Sequence, residues 1–200
     1  MTFSTGNGAN YCEIKWHGRG GQGAITAAQI FAEAAYREGY KGVTASSSFG
    51  AERRGAAISA ATRIAREPIR IFSQIELPHV AVVLDYSLLE NGNILHSLRP
   101  DGWLVVNASS LPGSVTECNI AIVDATAISR QLNLIVSGLV IVNTPILGAL
   151  CRVLDMVSLD GLLETVGKRF PAISARETNQ NSVRLAYEKT QIIVNHRGKP

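Results

Sequence analysis

Three glycines, Gly18, Gly20 and Gly23, follow the spacing G-x-G-x-x-G near the beginning of the chain. Glycine lets a backbone turn sharply and approach an anion closely, and a helix that starts at such a turn points its first N–H groups at that anion. Residues 12–17 have the pattern of a strand and residues 22–38 that of a helix. This order predicts an α/β fold with a phosphate cradle at its first strand-to-helix turn.

The region after this helix argues against a dinucleotide ligand. In a dinucleotide-binding unit the second strand ends in an acidic residue that binds the ribose hydroxyls. The second predicted strand, residues 41–45, is followed by serines, and no Asp or Glu occurs before Glu52. Arg53 and Arg54 come next, and a guanidinium group presents a planar fork of donors to phosphate oxygens. We therefore expect a ligand with additional phosphate rather than NAD.

Composition and charge limit the organisation of the chain. Its 200 residues, 46% hydrophobic and 18% charged, can bury one sizeable core. We expect a single domain over residues 11–194, with residues 1–10 as a flexible lead-in and residues 195–200 as a tail. The formal net charge of +3 is too small and scattered to favour nucleic acid. No signal segment and no apolar run of membrane-spanning length is present, so a cytoplasmic location away from membranes is expected.

The residues that most often carry chemistry are sparse. Three cysteines occur far apart and without a C-x-x-C pair, at Cys12, Cys118 and Cys151. They predict buried free thiols and cannot by themselves hold an iron–sulfur cluster or a zinc ion. The histidines lack metal-ligand spacing, and no G-x-S-x-G nucleophile motif occurs, so we assign no catalytic and no metal-binding residue. His17, directly before the glycines, either contacts a ligand or is a satisfied structural residue.

The rest of the chain repeats strand and helix patterns. Strands are predicted at residues 56–64, 69–75, 80–84, 102–107 and 120–123, and helices at 86–95, 139–153, 159–170 and 177–194, with another after Asp124. Asp85 ends an apolar run and is either a helix cap or a ligand contact. Thr144 and Pro145 have the residue types of an N-cap and a first helical position. These patterns predict a three-layer sandwich with a mostly parallel, Rossmann-like sheet and a helical C-terminal portion.

Two motifs together resemble a known family. Residues 16–24, WHGRGGQGA, and residues 48–56, SFGAERRGA, are similar to the gamma subunit of the 2-oxoacid:ferredoxin oxidoreductases, the pyruvate:ferredoxin oxidoreductase family. The similarity continues through residues 83–85, 102–107 and 143–149. Ala51 departs from the family, which often has proline there, and this leaves the second loop less rigid.

The resemblance implies that the chain is one subunit of a larger enzyme. In that family thiamine diphosphate, bound with Mg²⁺ on other subunits, decarboxylates a 2-oxo acid, [4Fe-4S] clusters remove two electrons singly, and coenzyme A (CoA) accepts the acyl group. The implied partners are subunits of the alpha, beta and delta (ferredoxin-like) types, with ferredoxin, or NAD through a further subunit, as electron acceptor. The implied role of this chain is to help bind CoA and assemble the complex.

CoA carries a pyrophosphate and a 3′-phosphate, which suits a glycine cradle and an arginine-bearing loop. The residues assigned to CoA binding are Gly18, Arg19, Gly20, Gly21, Gln22, Gly23, Glu52, Arg53 and Arg54. Structural roles for these residues remain open. Gly20 and Gly21 could permit close packing of the strand against the helix, and Gln22 could cap the helix. Arg53 and Arg54 could form a salt bridge with another subunit. Two further functions also remain open, a stand-alone Rossmann-like nucleotide-binding module and a purely structural interface subunit of the same complex.

Overall fold

The computed structural model describes residues 11–48, 55–70, 73–90, 93–110 and 118–195. The strands are β1 (Tyr11–Arg19), β2 (Gly42–Ser48), β3 (Ala57–Ala65), β4 (Val80–Val83), β5 (Trp103–Asn107), β6 (Asn119–Val123), β7 (Ile135–Val136), β8 (Leu139–Val140) and β9 (Gln191–Ile193). The helices are α1 (Ala24–Arg37), a 3₁₀ helix (Tyr86–Leu89), α2 (Asn93–Ser97), α3 (Ala125–Gln131), α4 (Asn143–Val153), α5 (Leu159–Arg169) and α6 (Ile173–Lys189).

The described strands form a seven-stranded sheet in the order β2-β3-β1-β4-β5-β6-β9, and β7 and β8 form a separate hairpin. β1, β4, β5 and β6 pair in parallel, whereas β3 is antiparallel to β1 and to β2, and β9 is antiparallel to β6. Within the seven-stranded sheet, all strands except β3 and β9 therefore run in one direction. The structure confirms the expected α/β fold, with a mostly parallel sheet and helices in the C-terminal portion.

Helices cover the two faces of the sheet unequally. Alternate residues of the central strands point to opposite faces, as the twofold period of a strand requires. Val82 and Val105 join a core formed with α1, α4, α5 and α6, and Val83 and Leu104 join a smaller core beneath the 3₁₀ helix and α2. The carboxyl ends of β1 and β4, where ligands bind in open α/β sheets, thus lie beside the first turns of the helices that follow them.

One predicted strand is wrong. Within residues 69–75, the described residues 69, 70 and 73–75 are irregular rather than extended in the sheet. The Ser73 carbonyl accepts a hydrogen bond from Arg63 Nη2 at 2.6 Å, and the Leu77 carbonyl accepts one from Arg99 Nε at 3.0 Å. The Arg63 side chain therefore satisfies a carbonyl of the predicted strand that a strand ladder would otherwise use.

Two of the predicted C-terminal helices have different limits. Residues 134–141 form the β7–β8 hairpin, whose turn places Ser137 at φ 50° and Gly138 at φ 77°. The helix follows Val142, so Thr144 is not its cap and Pro145 is its third residue, where the missing N–H is still harmless. The last helix ends at Lys189, and the apolar residues after it form β9 at the edge of the sheet.

The three cysteines are buried thiols that form no disulfide, as expected. Burial raises the pKa of the Cys151 thiol to about 12, so this thiol stays protonated near neutral pH. Among the described helices, none has both the length and the apolarity that crossing a membrane requires.

Two enclosed histidines make stability depend on pH. His79 Nδ1 accepts a hydrogen bond from the Glu13 N–H at 3.0 Å, which requires an unprotonated Nδ1. Burial, with nearby positive charge, lowers the pKa of His79 and of His17 from 6.5 to about 4. Because both histidines are neutral when folded and bind protons more readily when unfolded, stability is complete above pH 6.5 and falls as pH decreases toward 4.

Urea unfolding across this pH range measures that loss. His17→Phe should flatten the decline, whereas His96→Gln, which removes an exposed imidazole from α2, serves as the matched control. A decline of equal steepness in His17→Phe and in the native chain would contradict this role of His17.

Candidate functional site

The turn from β1 to α1 depends on glycine at two positions. Gly21 has φ 97° and Gly23 has φ 84°, backbone conformations in which a side chain is strained. Gly23 occupies the N-cap position of α1, and no side chain caps this helix. The six residues 18–23 thus form the predicted strand-to-helix turn, named here the glycine turn.

The glycine turn leaves hydrogen-bond donors available. Gly20 N–H donates to the Ala56 carbonyl at 2.9 Å and Gln22 N–H to the Arg19 carbonyl at 3.0 Å. By contrast, the N–H groups of Gly21, Gly23 and Ile25 make no hydrogen bond within the described residues. The first turn of α1 also contains no acidic residue. Unpaired N–H groups and an uncompensated helix dipole favour an anion at this position.

Arg19 is held by three residues from two other parts of the chain. Its Nε donates to Asp85 Oδ2 at 3.0 Å, its Nη1 to the Gly55 carbonyl at 3.1 Å and its Nη2 to Ser87 Oγ at 2.8 Å. The guanidinium group therefore connects the glycine turn, the end of the second loop and the 3₁₀ helix. A direct contact of Arg19 with CoA stays a prediction, and it requires the group to exchange or share these partners.

Gln22 closes the glycine turn instead of capping α1. Its Oε1 accepts from the Arg19 N–H at 2.8 Å, and its Nε2 donates to Asp85 Oδ2 at 3.1 Å. Asp85 also caps the 3₁₀ helix by accepting from the Ser87 N–H at 3.1 Å, so its role as a cap is confirmed. Partial burial opposes ionisation, but hydrogen bonds from Ser87 and Gln22 and the charge of Arg19 keep the pKa of Asp85 below its usual value. A charged Asp85 thus stabilises the turn.

His17 lies at the start of the glycine turn with an enclosed imidazole. Its Nε2 is buried and has no hydrogen-bond partner among the described residues. Burial, with the charge of Lys15, lowers its pKa to about 4, so the ring is neutral near pH 7. A ligand contact of His17 stays a prediction.

The two sequence motifs meet in the structure. Gly20 N–H donates to the Ala56 carbonyl, and Gly55 N–H donates to the Gly20 carbonyl at 3.3 Å. Glu52, Arg53 and Arg54 lie outside the described residues, so their assignment to CoA or to a neighbouring subunit stays a prediction. The described end of their loop nevertheless lies directly beside the glycine turn.

The position of β2 agrees with the argument against NAD. In a dinucleotide fold the second strand lies next to the first and brings its acidic residue close to the glycines. Here β3 separates β2 from β1. The carboxyl end of β2 is therefore one strand farther from the glycine turn than an NAD ribose contact requires.

Sequence reasoning missed Asn143 and Leu139 as neighbours of the glycine turn. A β carbon placed on Gly23 would lie 2.7 Å from Asn143 Nδ2, and one placed on Gly21 would lie 2.8 Å from Leu139 Cδ1. The resemblance includes residues 143–149, but only the packing of α4 against α1 brings Asn143 to the turn.

A separate pocket of about 170 Å³ lies at the carboxyl ends of β5 and β6, between α3 and the end of α6. Its lining includes Ser109, Asp124 and Lys189 and shares no residue with the glycine turn. We centre the site on the turn because the unpaired N–H groups are there. No cluster of three or more potential metal ligands occurs within the described residues.

Comparison with known proteins yields consistent matches. The family model of pyruvate ferredoxin/flavodoxin oxidoreductase matches residues 13–189. The gamma subunit common to the pyruvate and ketoisovalerate oxidoreductases of Pyrococcus furiosus is 44% identical over 186 residues, which cover 90% of this chain and 97% of that protein.

Solved structures share the fold. Pyruvate oxidoreductase subunit PORC from Thermotoga maritima gives a TM-score of 0.79 at 37% identity, covering 91% of this chain and 98% of that one. A second structure is the 2-oxoglutarate:ferredoxin oxidoreductase from Magnetococcus marinus with 2-oxoglutarate, coenzyme A and succinyl-CoA bound. Its TM-score is 0.69 at 17% identity, and the match covers 89% of this chain and 31% of that one. The second likeness shows the fold alone.

Proposed function

The chain belongs to the pyruvate ferredoxin/flavodoxin oxidoreductase family as a gamma-type subunit of a 2-oxoacid oxidoreductase complex, and we propose that its glycine turn binds the phosphates of CoA. The observation that carries the proposal is the set of unpaired N–H groups at the start of α1. CoA is an anionic ligand with a pyrophosphate, and a helix N-terminus without acidic residues suits it. When bound, CoA supplies the thiol that takes up the acyl group.

The residues of the turn fit such a ligand in three ways. Gly21 is exposed, and Gly23 and Gln22 are partly exposed, so the donors can be reached from outside. Asp85 does not leave an uncompensated negative charge beside the donors, because Arg19 pairs with it. The glycines also let a phosphate approach the backbone more closely than side chains would permit.

The wider reaction is proposed from the relatives. By analogy with proteins named for pyruvate and ketoisovalerate oxidation, the complex would oxidatively decarboxylate a 2-oxo acid to an acyl-CoA. Thiamine diphosphate, Mg²⁺ and [4Fe-4S] clusters would be held by alpha-, beta- and delta-type subunits. Electrons would pass to ferredoxin, or to NAD through a further subunit, in the cytoplasm. The contribution of this chain would be CoA binding and assembly.

A purely structural role is the second candidate, and one feature favours it. The β7–β8 hairpin beside the glycine turn exposes three apolar side chains, with Ile135 47%, Val136 61% and Leu139 40% exposed. Apolar groups gathered at one place on a surface are typical of a subunit contact. If this were the whole function, changes in the glycine turn would alter assembly and leave CoA kinetics unchanged.

Gly23→Ala in the assembled complex separates the two roles. The β carbon would overlap Asn143 and strain a backbone at φ 84°, which displaces the donors. Because small displacements of a binding group have large kinetic consequences, we expect the Michaelis constant for CoA to rise about tenfold or more. The Michaelis constant for the 2-oxo acid should not change.

Gly39→Ala is the matched control. Gly39 has a similar φ of 91°, but no other group lies within 4 Å of its added β carbon, and it follows the far end of α1. It reproduces the backbone strain without disturbing the turn. An unchanged Michaelis constant for CoA in Gly23→Ala, with assembly intact, would remove the CoA role from the glycine turn.

A further inference from the structure

The glycine turn lies beside the start of a second helix. α4 begins at Asn143, whose amide nitrogen lies 2.7 Å from the position that a β carbon of Gly23 would occupy. The N-cap of α1 and the first residue of α4 are thus in contact. Neither helix has a side-chain cap, and neither has an acidic residue in its first turn.

Two helix N-termini in contact repel each other electrostatically. Each carries about half a positive elementary charge, and this charge is normally compensated by a cap, an acidic side chain or a bound anion. α5, in the same chain, has both internal forms of compensation, because Ser158 caps it and Asp160 lies in its first turn. α1 and α4 have neither a side-chain cap nor an acidic residue in the first turn. A bound anion is therefore the remaining way to compensate the positive charge of their N-termini.

Asn143 carries an independent sign of a missing partner. The residue is 6% exposed, and its Oδ1 is buried without a hydrogen-bond partner among the described residues. Rotation of the amide by 180° exchanges Oδ1 and Nδ2 and places an N–H donor at this unpaired position, where a phosphate oxygen can accept from it. The side chain of the next residue is paired within the chain, because Thr144 Oγ1 donates a hydrogen bond to Asn179 Oδ1 at 2.8 Å. A buried amide left unpaired is costly, so it points to a group supplied by a ligand.

We propose that Asn143 and the N-terminus of α4 form the second half of the phosphate site, so that a diphosphate bridges the ends of two helices. This inference rests on the proposed CoA function and deepens it. One phosphate group lies against the N–H groups of the glycine turn, and the other receives a hydrogen bond from the Asn143 amide. The site therefore recognises a diphosphate rather than a single phosphate.

Asn143→Asp tests the proposal, because it should move stability and affinity in different directions. A carboxylate at the start of two helices compensates their dipoles and keeps or raises the unfolding temperature. The same carboxylate repels a diphosphate, so CoA should bind to the assembled complex about tenfold more weakly or worse, as calorimetric titration measures. Asn181→Asp, which adds an equal charge at an exposed position of α6, is the matched control and should leave CoA affinity unchanged.

Competition by inorganic ions tests the recognition of two phosphates. Pyrophosphate should displace CoA from the native complex at lower concentration than inorganic phosphate does, and Asn143→Asp should lose this preference. If the Asp variant does not assemble, Asn143→Ala removes the amide without adding charge and should also weaken CoA binding. Native CoA affinity in the assembled Asp variant, or in the Ala variant, overturns the inference.

The two proposals fail in different ways. Loss of CoA affinity in Gly23→Ala together with native affinity in Asn143→Asp would keep the CoA function and reject the second half of the site. A native complex that binds neither CoA nor pyrophosphate would reject both.

Discussion

Arg63→Met is expected to lower the free energy of unfolding by about 3–5 kcal/mol, the usual cost of breaking a buried ion pair from one side. Arg63 Nε lies 2.9 Å from Glu13 Oε1, and the two side chains are only 7% and 10% exposed. Arg63 also donates to the Ser73 carbonyl. Its loss therefore leaves the buried Glu13 carboxylate and the Ser73 carbonyl without this donor. Urea unfolding of the chain measures the loss.

The double variant Glu13→Leu/Arg63→Met identifies the cause. Removing both charges eliminates the uncompensated carboxylate, so the double variant should be more stable than Arg63→Met alone. The exposed pair of Arg37 and Glu33 on α1 supplies a comparison, because Arg37→Met should cost about 1 kcal/mol or less. Equal losses at Arg63 and Arg37 would contradict the importance of burial.

Gly148→Ala is expected to destabilise the chain by about 3 kcal/mol or more, through overpacking between α4 and α6. A β carbon at this position would lie 2.2 Å from the Val183 carbonyl oxygen and 2.9 Å from the Tyr187 nitrogen. Both are backbone atoms of α6, so no side chain can move aside and the two helices must separate. Thermal unfolding measures the effect.

Gly167→Ala in α5 is the control for this substitution. Its β carbon would meet the amide nitrogen of Gln180 at 2.8 Å, which is the movable end of a flexible side chain. The gain in helix propensity, up to about 1 kcal/mol, offsets the displacement of this amide. If Gly148→Ala were as stable as Gly167→Ala, the close contact of α4 with α6 would not limit stability.

Local patterns predicted the parts of the site that depend on neighbours in sequence. The glycine turn follows from glycine spacing and from the change of period between β1 and α1. Asp85 was expected as a cap or a ligand contact because it follows a continuous apolar run, and the structure makes it both a cap and the partner of Arg19. In such cases residue type and position fix the conformation without distant contacts.

Contacts between distant segments could not be read from these patterns. The apolar residues 139–141 fit a helix as well as a strand, and only the turn at Ser137 and Gly138 decides for a hairpin. β3 enters the sheet between β1 and β2 through long-range pairing. The unpaired amide of Asn143 exists because α4 packs against α1, so no local signal marks it.

The short strand β9 has a consequence for how molecules of this chain behave toward one another. β6 carries the buried residues Ile120 and Ile122, and β9 pairs with it along the side that would otherwise be an open edge. An apolar strand with unpaired backbone groups is a template for association between copies. β9 thus replaces β6 as the edge of the sheet, and with only three residues it offers a copy of the chain a much shorter template than the five residues of β6 would. The same three residues contribute nothing to the glycine turn.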